Sequence, residues 1–253
     1  MKPPITVLTQ NLTEEPYASI ICYPRPSASE LHERIEELRF HCVETIKFSG
    51  EGSAFNVPVL GKGYVGVVVA AHMNGQWIAL KMRRVDADRQ DLHHEAEMLK
   101  KANAVNVGPR FLGVSKNFLL MQLIDGKLLA DWLETNKEKE HNRKVLVDIL
   151  EQCWRLDEAG LDHSELSKAP KHLLVNNTAV PFIVDFETAS AQRKVANVTG
   201  VCQFLFMGNS SVARIVAGTF GERNRAEMIN ALKNYKKNRL RLNFEALLKV
   251  CFS

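Results

Sequence analysis

The chain has 253 residues, 45% of them apolar and 25% charged, with a formal net charge of +4, an ordinary balance for a globular protein of one or two domains. Its most apolar stretches, residues 65–71 and 118–124, are too short to cross a bilayer, and no basic segment leads into an apolar run as in a signal peptide. A cytoplasmic protein with no membrane partner is therefore expected, and five scattered cysteines argue against a disulfide framework or a thiolate-rich metal site.

Taken from the start, residues 17–23 read as a strand, bounded by prolines. Ser27 or Ser29 can cap a helix through Leu31, Ile35, Leu38 and Cys42, whose spacing puts apolar groups on one face. From residue 55 to 84 the texture is short and β-rich. Asn74-Gly75 predicts a hairpin between residues 65–71 and a returning strand that starts at Trp77. A helix over 89–102 and strands over 111–114 and 118–123 follow. Beyond Asp125-Gly126 the chain turns mainly helical, with helices predicted over 128–133, 145–159, 211–217 and 225–248. Two short strands, 173–175 and 182–184, interrupt them. The simplest organisation is α+β: residues 1–50 as an extension packed on a β-rich lobe of 51–123, then a helical lobe of 124–253.

Two groups of residues carry chemistry. Gly61-Lys-Gly63-Tyr-Val-Gly66-Val-Val68 is G-x-G-x-x-G-x-V, in which glycines let backbone amides approach phosphate oxygens. The valine run and hairpin that follow exclude the strand–glycine–helix context of a dinucleotide fold. The absence of Gly-Lys-Ser/Thr excludes a Walker A loop. Across the hairpin, Ile78-Ala-Leu-Lys81 sends an ammonium out of a strand, and the next helix offers Glu95 as its anion. The second group is Asp162-His-Ser-Glu165, then Lys171-His172, then Ile183-Val-Asp185-Phe-Glu187. Asp185 ends an apolar strand, where a carboxylate can hold a hard divalent cation.

Together these residues resemble the protein-kinase superfamily, especially its small atypical archaeal branch related to the RIO and Bud32-like Ser/Thr kinases. The glycine loop, strand lysine and helix glutamate are the signature of that superfamily. The resemblance covers about residues 55–206. It implies a two-lobed kinase-like fold with a β-rich first lobe, a compact helical second lobe and a reduced activation segment. It further implies ATP and Mg²⁺ (or Mn²⁺) as cofactors. Gly61, Gly63, Gly66 and Val68 would lie over the nucleotide, Lys81 against its phosphates with Glu95 holding Lys81, and Met121 and Leu123 in an adenine-binding hinge.

By the same resemblance, Asp185 would hold the metal, assisted by His172 or Glu187, and Glu165 would orient or deprotonate the acceptor hydroxyl. Three departures stand out. Glu165 replaces an aspartate, His172 stands where an asparagine is usual, and Glu187 replaces the glycine after Asp185-Phe. The acceptor implied is a protein serine or threonine, and a small-molecule hydroxyl is equally open. A nucleotide-binding regulatory module that transfers nothing and a kinase-like ATPase also remain open. The basic run Lys233, Lys236, Lys237, Arg239 and Arg241 offers contacts to nucleic acid or a ribonucleoprotein, or a solvated helix face.

Overall fold

The structure, a computed structural model, describes residues 3–253. It divides into two compact units, one comprising the chain up to Glu97 together with Arg110–Leu123, the other Met98–Pro109 together with Ile124–Ser253. Among the described residues no helix is long and apolar enough to cross a membrane. The architecture is α+β, with antiparallel sheets and helices.

The first unit is built on a sheet of seven antiparallel strands. Its main order is Ile5–Leu8, Val43–Phe48, Gly66–Met73, Gln76–Arg83, Phe118–Gln122, Phe111–Val114, with Gly61–Lys62 paired to Gly66–Met73. At its centre is the hairpin predicted from Asn74-Gly75. Met73 pairs with Gln76, and the turn residues take the positive φ values, 50° and 77°, of a two-residue hairpin. Within the first 50 residues, Ile5–Leu8 and Val43–Phe48 are two strands of this sheet. Val43, Ile46 and Phe48 are all buried. A three-residue step from Val43 to Ile46 can share a face only because the register shifts between Val43 and Thr45, as a β-bulge allows.

Residues 17–23 form no strand; Tyr17–Ile21 is a short helix. Ala18, Ile20 and Cys22 donate to the carbonyls four residues back, and the Ser19 hydroxyl bonds to Glu15. Local bonding with burial of Ala18, Ile20 and Ile21 outweighs the β-favouring side chains. Helix Ala28–Phe40 starts at Ser27, whose hydroxyl accepts from the Glu30 amide. It carries the fully buried Arg34 to the sheet, where the guanidinium donates to the carbonyls of Ile21 and Arg83 and to the side chains of Glu30 and Asn117.

The second unit is organised around helix Lys139–Glu158, which buries Val145, Leu146, Ile149, Leu150, Cys153 and Leu156 on one face. Beside it run three antiparallel strands, Gly126–Leu128, Leu173–Asn176 and Pro181–Ile183. Gly126 is a glycine of necessity, since a Cβ there would lie 2.2 Å from the Val175 carbonyl oxygen. The long helix expected over 225–248 is two helices, Arg225–Lys237 and Arg241–Phe252. Tyr235 and Phe244 are both buried, with ring centroids 6.2 Å apart. Nine residues of continuous helix would turn them to opposite sides, so the chain breaks at extended residues Asn238 and Leu240 and folds back. Helix Asn197–Cys202, running into a π-helical turn Gln203–Met207, was not foreseen.

Candidate functional site

The glycine motif forms the tight turn between Gly61–Lys62 and Gly66–Met73, closed by a bond from the Gly63 amide to the Gly66 carbonyl of 2.8 Å. The register then sets Gly61 opposite Val68, Val68 opposite Lys81 and Lys81 opposite Leu119. Gly66 is the diagonal neighbour of Lys81. A Cβ there would lie 2.9 Å from the Met82 carbonyl oxygen and about 3 Å from Lys81 Cγ (3.0) and Cε (3.1). The lysine side chain therefore crosses the space that a larger residue would fill. Gly61 and Gly63 have no such reason: a Cβ would meet no described atom within 4 Å at Gly61 and only the Gly66 oxygen, at 3.8 Å, at Gly63. Neither has a positive φ. Packing and turn geometry leave both glycines unexplained.

Lys81 is buried and donates from Nζ to Glu95 Oε1 at 2.9 Å, with Oε2 at 2.8 Å. Both side chains are almost wholly removed from water, 6% and 4% exposed. Removing two charges from water costs several kcal/mol each, and such a pair is a weak stabiliser compared with apolar packing. Glu95 lies in the first turn of helix His93–Ala104. Its neighbours Leu92 and Ala96 join Val65 and Leu119 in a small apolar cluster. Met121 pairs with Ala79 and Phe111, and Met121 and Leu123 are half-buried at the end of the strand.

In the second unit Glu165, His172 and Asp185 come together. His172 Nε2 stands 3.1 Å from Glu165 Oε2 and 3.8 Å from Asp185 Oδ2. That nitrogen is engaged with carboxylates, which disfavours it as a metal ligand in this arrangement. Asp185 and Glu187 each offer a carboxylate oxygen, and these lie within 4.8 Å of one another. Two hard oxygen donors so placed fit Mg²⁺ or Mn²⁺. The left-handed residue of the Asp185-Phe-Glu187 turn is Asp185, at φ 70°, and not Glu187. Replacing the usual glycine with glutamate at 187 therefore costs no backbone freedom here. Ser164, just before Glu165, is also left-handed at φ 71°. Non-glycine residues held in this region concentrate at functional sites.

Several supporting groups were not singled out from the sequence. Thr188 donates its hydroxyl to Glu165 Oε1 at 3.0 Å. The Ser164 and Thr188 hydroxyls lie 2.9 Å apart, within hydrogen-bond distance of each other. Behind them His163 is fully buried. Its Nε2 donates to the Val184 carbonyl at 3.0 Å, while Nδ1 has no partner among the described residues. Burial holds its pKa down to about 4, so the ring is neutral. The His163 amide donates to Asn197, Asn197 donates to Asp157, and the Tyr235 hydroxyl donates to Asp157 at 2.8 Å. Burial pushes the Asp157 carboxyl up despite those donors. Asp162 is taken up structurally: its backbone pairs with Ser190 and its carboxylate accepts from the Ala196 amide.

No protein-family profile matches the chain. An uncharacterized protein of Methanocaldococcus jannaschii is 31% identical to it over 96 residues, which span 38% of this chain and 79% of that protein.

Proposed function

Because the chain belongs to the family of the uncharacterized Methanocaldococcus jannaschii protein MJ1211, whose name carries no activity, we propose from its own side chains that it is an ATP-dependent phosphotransferase with a protein-kinase-like fold, acting on a serine or threonine hydroxyl. The observation that carries this reading is the buried Lys81–Glu95 pair beside a glycine turn, where Gly66 makes room for the lysine side chain. A pair that is costly to bury is retained where its charge has work to do. An ammonium held this way suits the α- and β-phosphates of ATP.

The amides of the 61–66 turn would cover the phosphates, Lys81 would neutralise them, and Glu95 would fix the Lys81 ammonium. Asp185 with Glu187 would hold Mg²⁺ or Mn²⁺, which when bound supplies positive charge against the phosphate oxygens. Glu165 would accept the proton of the acceptor hydroxyl as its oxygen bonds to the γ-phosphorus. The bond from that phosphorus to the β-phosphate oxygen breaks, and ADP leaves with its electron pair. Most of the acceleration would come from alignment and charge, as is general for phosphoryl transfer.

A specific observation favours a second reading. Glu165 is bound on one oxygen by Thr188 and on the other by His172. A carboxylate so occupied also suits a nucleotide-binding regulatory module that transfers nothing. Transfer of labelled γ-phosphate to the chain itself, to protein acceptors and to small hydroxyl acceptors separates the two. Wild type is expected to label an acceptor in a metal-dependent way, with Asp185→Ala and Glu165→Ala each lowering the rate at least about a hundredfold. ATP binding with no transfer to any acceptor favours the regulatory module, and phosphate release with no labelled acceptor identifies an ATPase.

A further inference from the structure

Beside the segment that carries Glu165, the second unit has a groove of about 660 Å³, and Ser164 and Leu166, the two neighbours of Glu165, line it. One wall is a single face of helix Arg225–Lys237. Arg225, Ile229, Leu232, Lys233 and Lys236 all line the groove, at helical spacings that keep them on one side. Arg193 also lines the groove. Its guanidinium donates to the Thr188 carbonyl, and its Nε is 3.6 Å from Asp162. Arg225, Lys233 and Lys236 are exposed and form no ion pair among the described residues. Among the described residues Asp162 is the one acidic residue lining the groove, and it already serves the Ala196 amide and Arg193. The remaining cationic charge is therefore unmatched within the groove.

We propose that this groove binds an acidic peptide segment and presents a hydroxyl on it to Glu165; the second half of that statement rests on the phosphotransfer reading above. Charge complementarity selects an anionic partner. The apolar lining selects a peptide over nucleic acid: Leu166, Met207, Ile229 and Leu232 alternate with the cations, and among the described residues no aromatic side chain lines the groove. Single strands are gripped by stacking bases on aromatic rings, whereas an extended peptide sets apolar and acidic side chains side by side. The rest of the basic run does not extend the surface. Arg241 is spent on Glu151, at 2.6 and 2.7 Å, and on Glu245, and Arg239 donates to the Val195 carbonyl.

The test is fluorescence anisotropy with the full chain and a fluorescein-labelled peptide holding one serine among glutamates and leucines. Controls are the same peptide with glutamines for glutamates, and a single-stranded RNA. The acidic peptide is expected to bind at least about tenfold tighter than the glutamine peptide at low salt, with the difference shrinking as salt rises. Arg225→Glu with Lys233→Glu and Lys236→Glu is expected to remove that preference. Lys237→Glu, on the same helix but outside the groove, is expected to keep it, and circular dichroism checks that both remain folded. Equal binding of the two peptides, tighter binding of RNA, or an unchanged preference in the triple variant overturns the proposal. Peptide binding is read without nucleotide, so a wild type that prefers the acidic peptide but never phosphorylates it refutes the presentation of its hydroxyl to Glu165 and leaves the groove assignment standing, whereas the transfer reading falls only if no acceptor is labelled.

Discussion

A glutamate reaches one methylene further than an aspartate, so the groups that grip its carboxylate decide where its oxygens lie. At Glu165 those groups are the Thr188 hydroxyl and the His172 ring. Thr188 is thus a positioning residue. Thr188→Val keeps the shape and removes the donor, and is expected to lower transfer about tenfold while leaving ATP affinity unchanged. Thr188→Ser should restore most of the rate, and a loss of ATP affinity instead would mark a general structural defect. His163 gives a pH signature. Its pKa of about 4 in the folded chain lies below the usual value of about 6.5 for an unfolded histidine. The unfolded state therefore binds the proton more readily, and the contribution of His163 to stability is present above about pH 6.5 and declines as pH falls toward about 4. Between about pH 7 and about pH 5 this is a loss on the order of 2 kcal/mol. Denaturant unfolding at the two pH values should show it in wild type and a smaller loss in His163→Asn; equal losses would remove His163 from the account.

Among the elements, the glycine turn makes the sharpest contrast. Gly66→Ala drives a methyl against the Met82 carbonyl and the Lys81 stem. It should lower both stability and ATP affinity. Gly61→Ala adds a methyl into open space and Gly63→Ala brings one only into ordinary contact with the Gly66 carbonyl oxygen, and both should change stability by less than about 0.5 kcal/mol while weakening ATP binding. Thermal melts alongside ATP titrations distinguish the two outcomes. This turn, the Asn74-Gly75 hairpin, the strand carrying Lys81 and the strand Pro181–Ile183 that leads to Asp185 were legible because each depends on neighbours in sequence. Other elements were not, since each is decided by partners far along the chain. The strand Val43–Phe48 hides behind a bulge that breaks its alternation. Tyr17–Ile21 carries β-favouring residues but folds as a helix. The break at 238–240 follows from where Tyr235 and Phe244 must bury. The candidate site divides in the same way: Glu165, His172 and Asp185 are marked by the resemblance to the kinase pattern, whereas Thr188 joins Glu165 through a turn 23 residues later.

For the molecule as a whole, the long-range tethers matter most. In the second unit, Tyr235 reaches Asp157 from 78 residues away, and Asp157 and Asn197 carry the connection to the His163 backbone. Tyr235→Phe leaves a buried carboxylate oxygen short of a donor, at a cost of roughly 1–3 kcal/mol, measurable by denaturant unfolding. The central claim of the proposed function is that Lys81 serves ATP and that Asp185 serves the metal bound with it. Calorimetric titration of wild type, Lys81→Ala and Asp185→Ala with ATP, with and without Mg²⁺, addresses it most directly. The expected result is metal-dependent binding in wild type, at least about tenfold weaker binding in Lys81→Ala, and loss of the metal dependence in Asp185→Ala. ATP binding that is absent in wild type, or that both variants leave untouched, would contradict it.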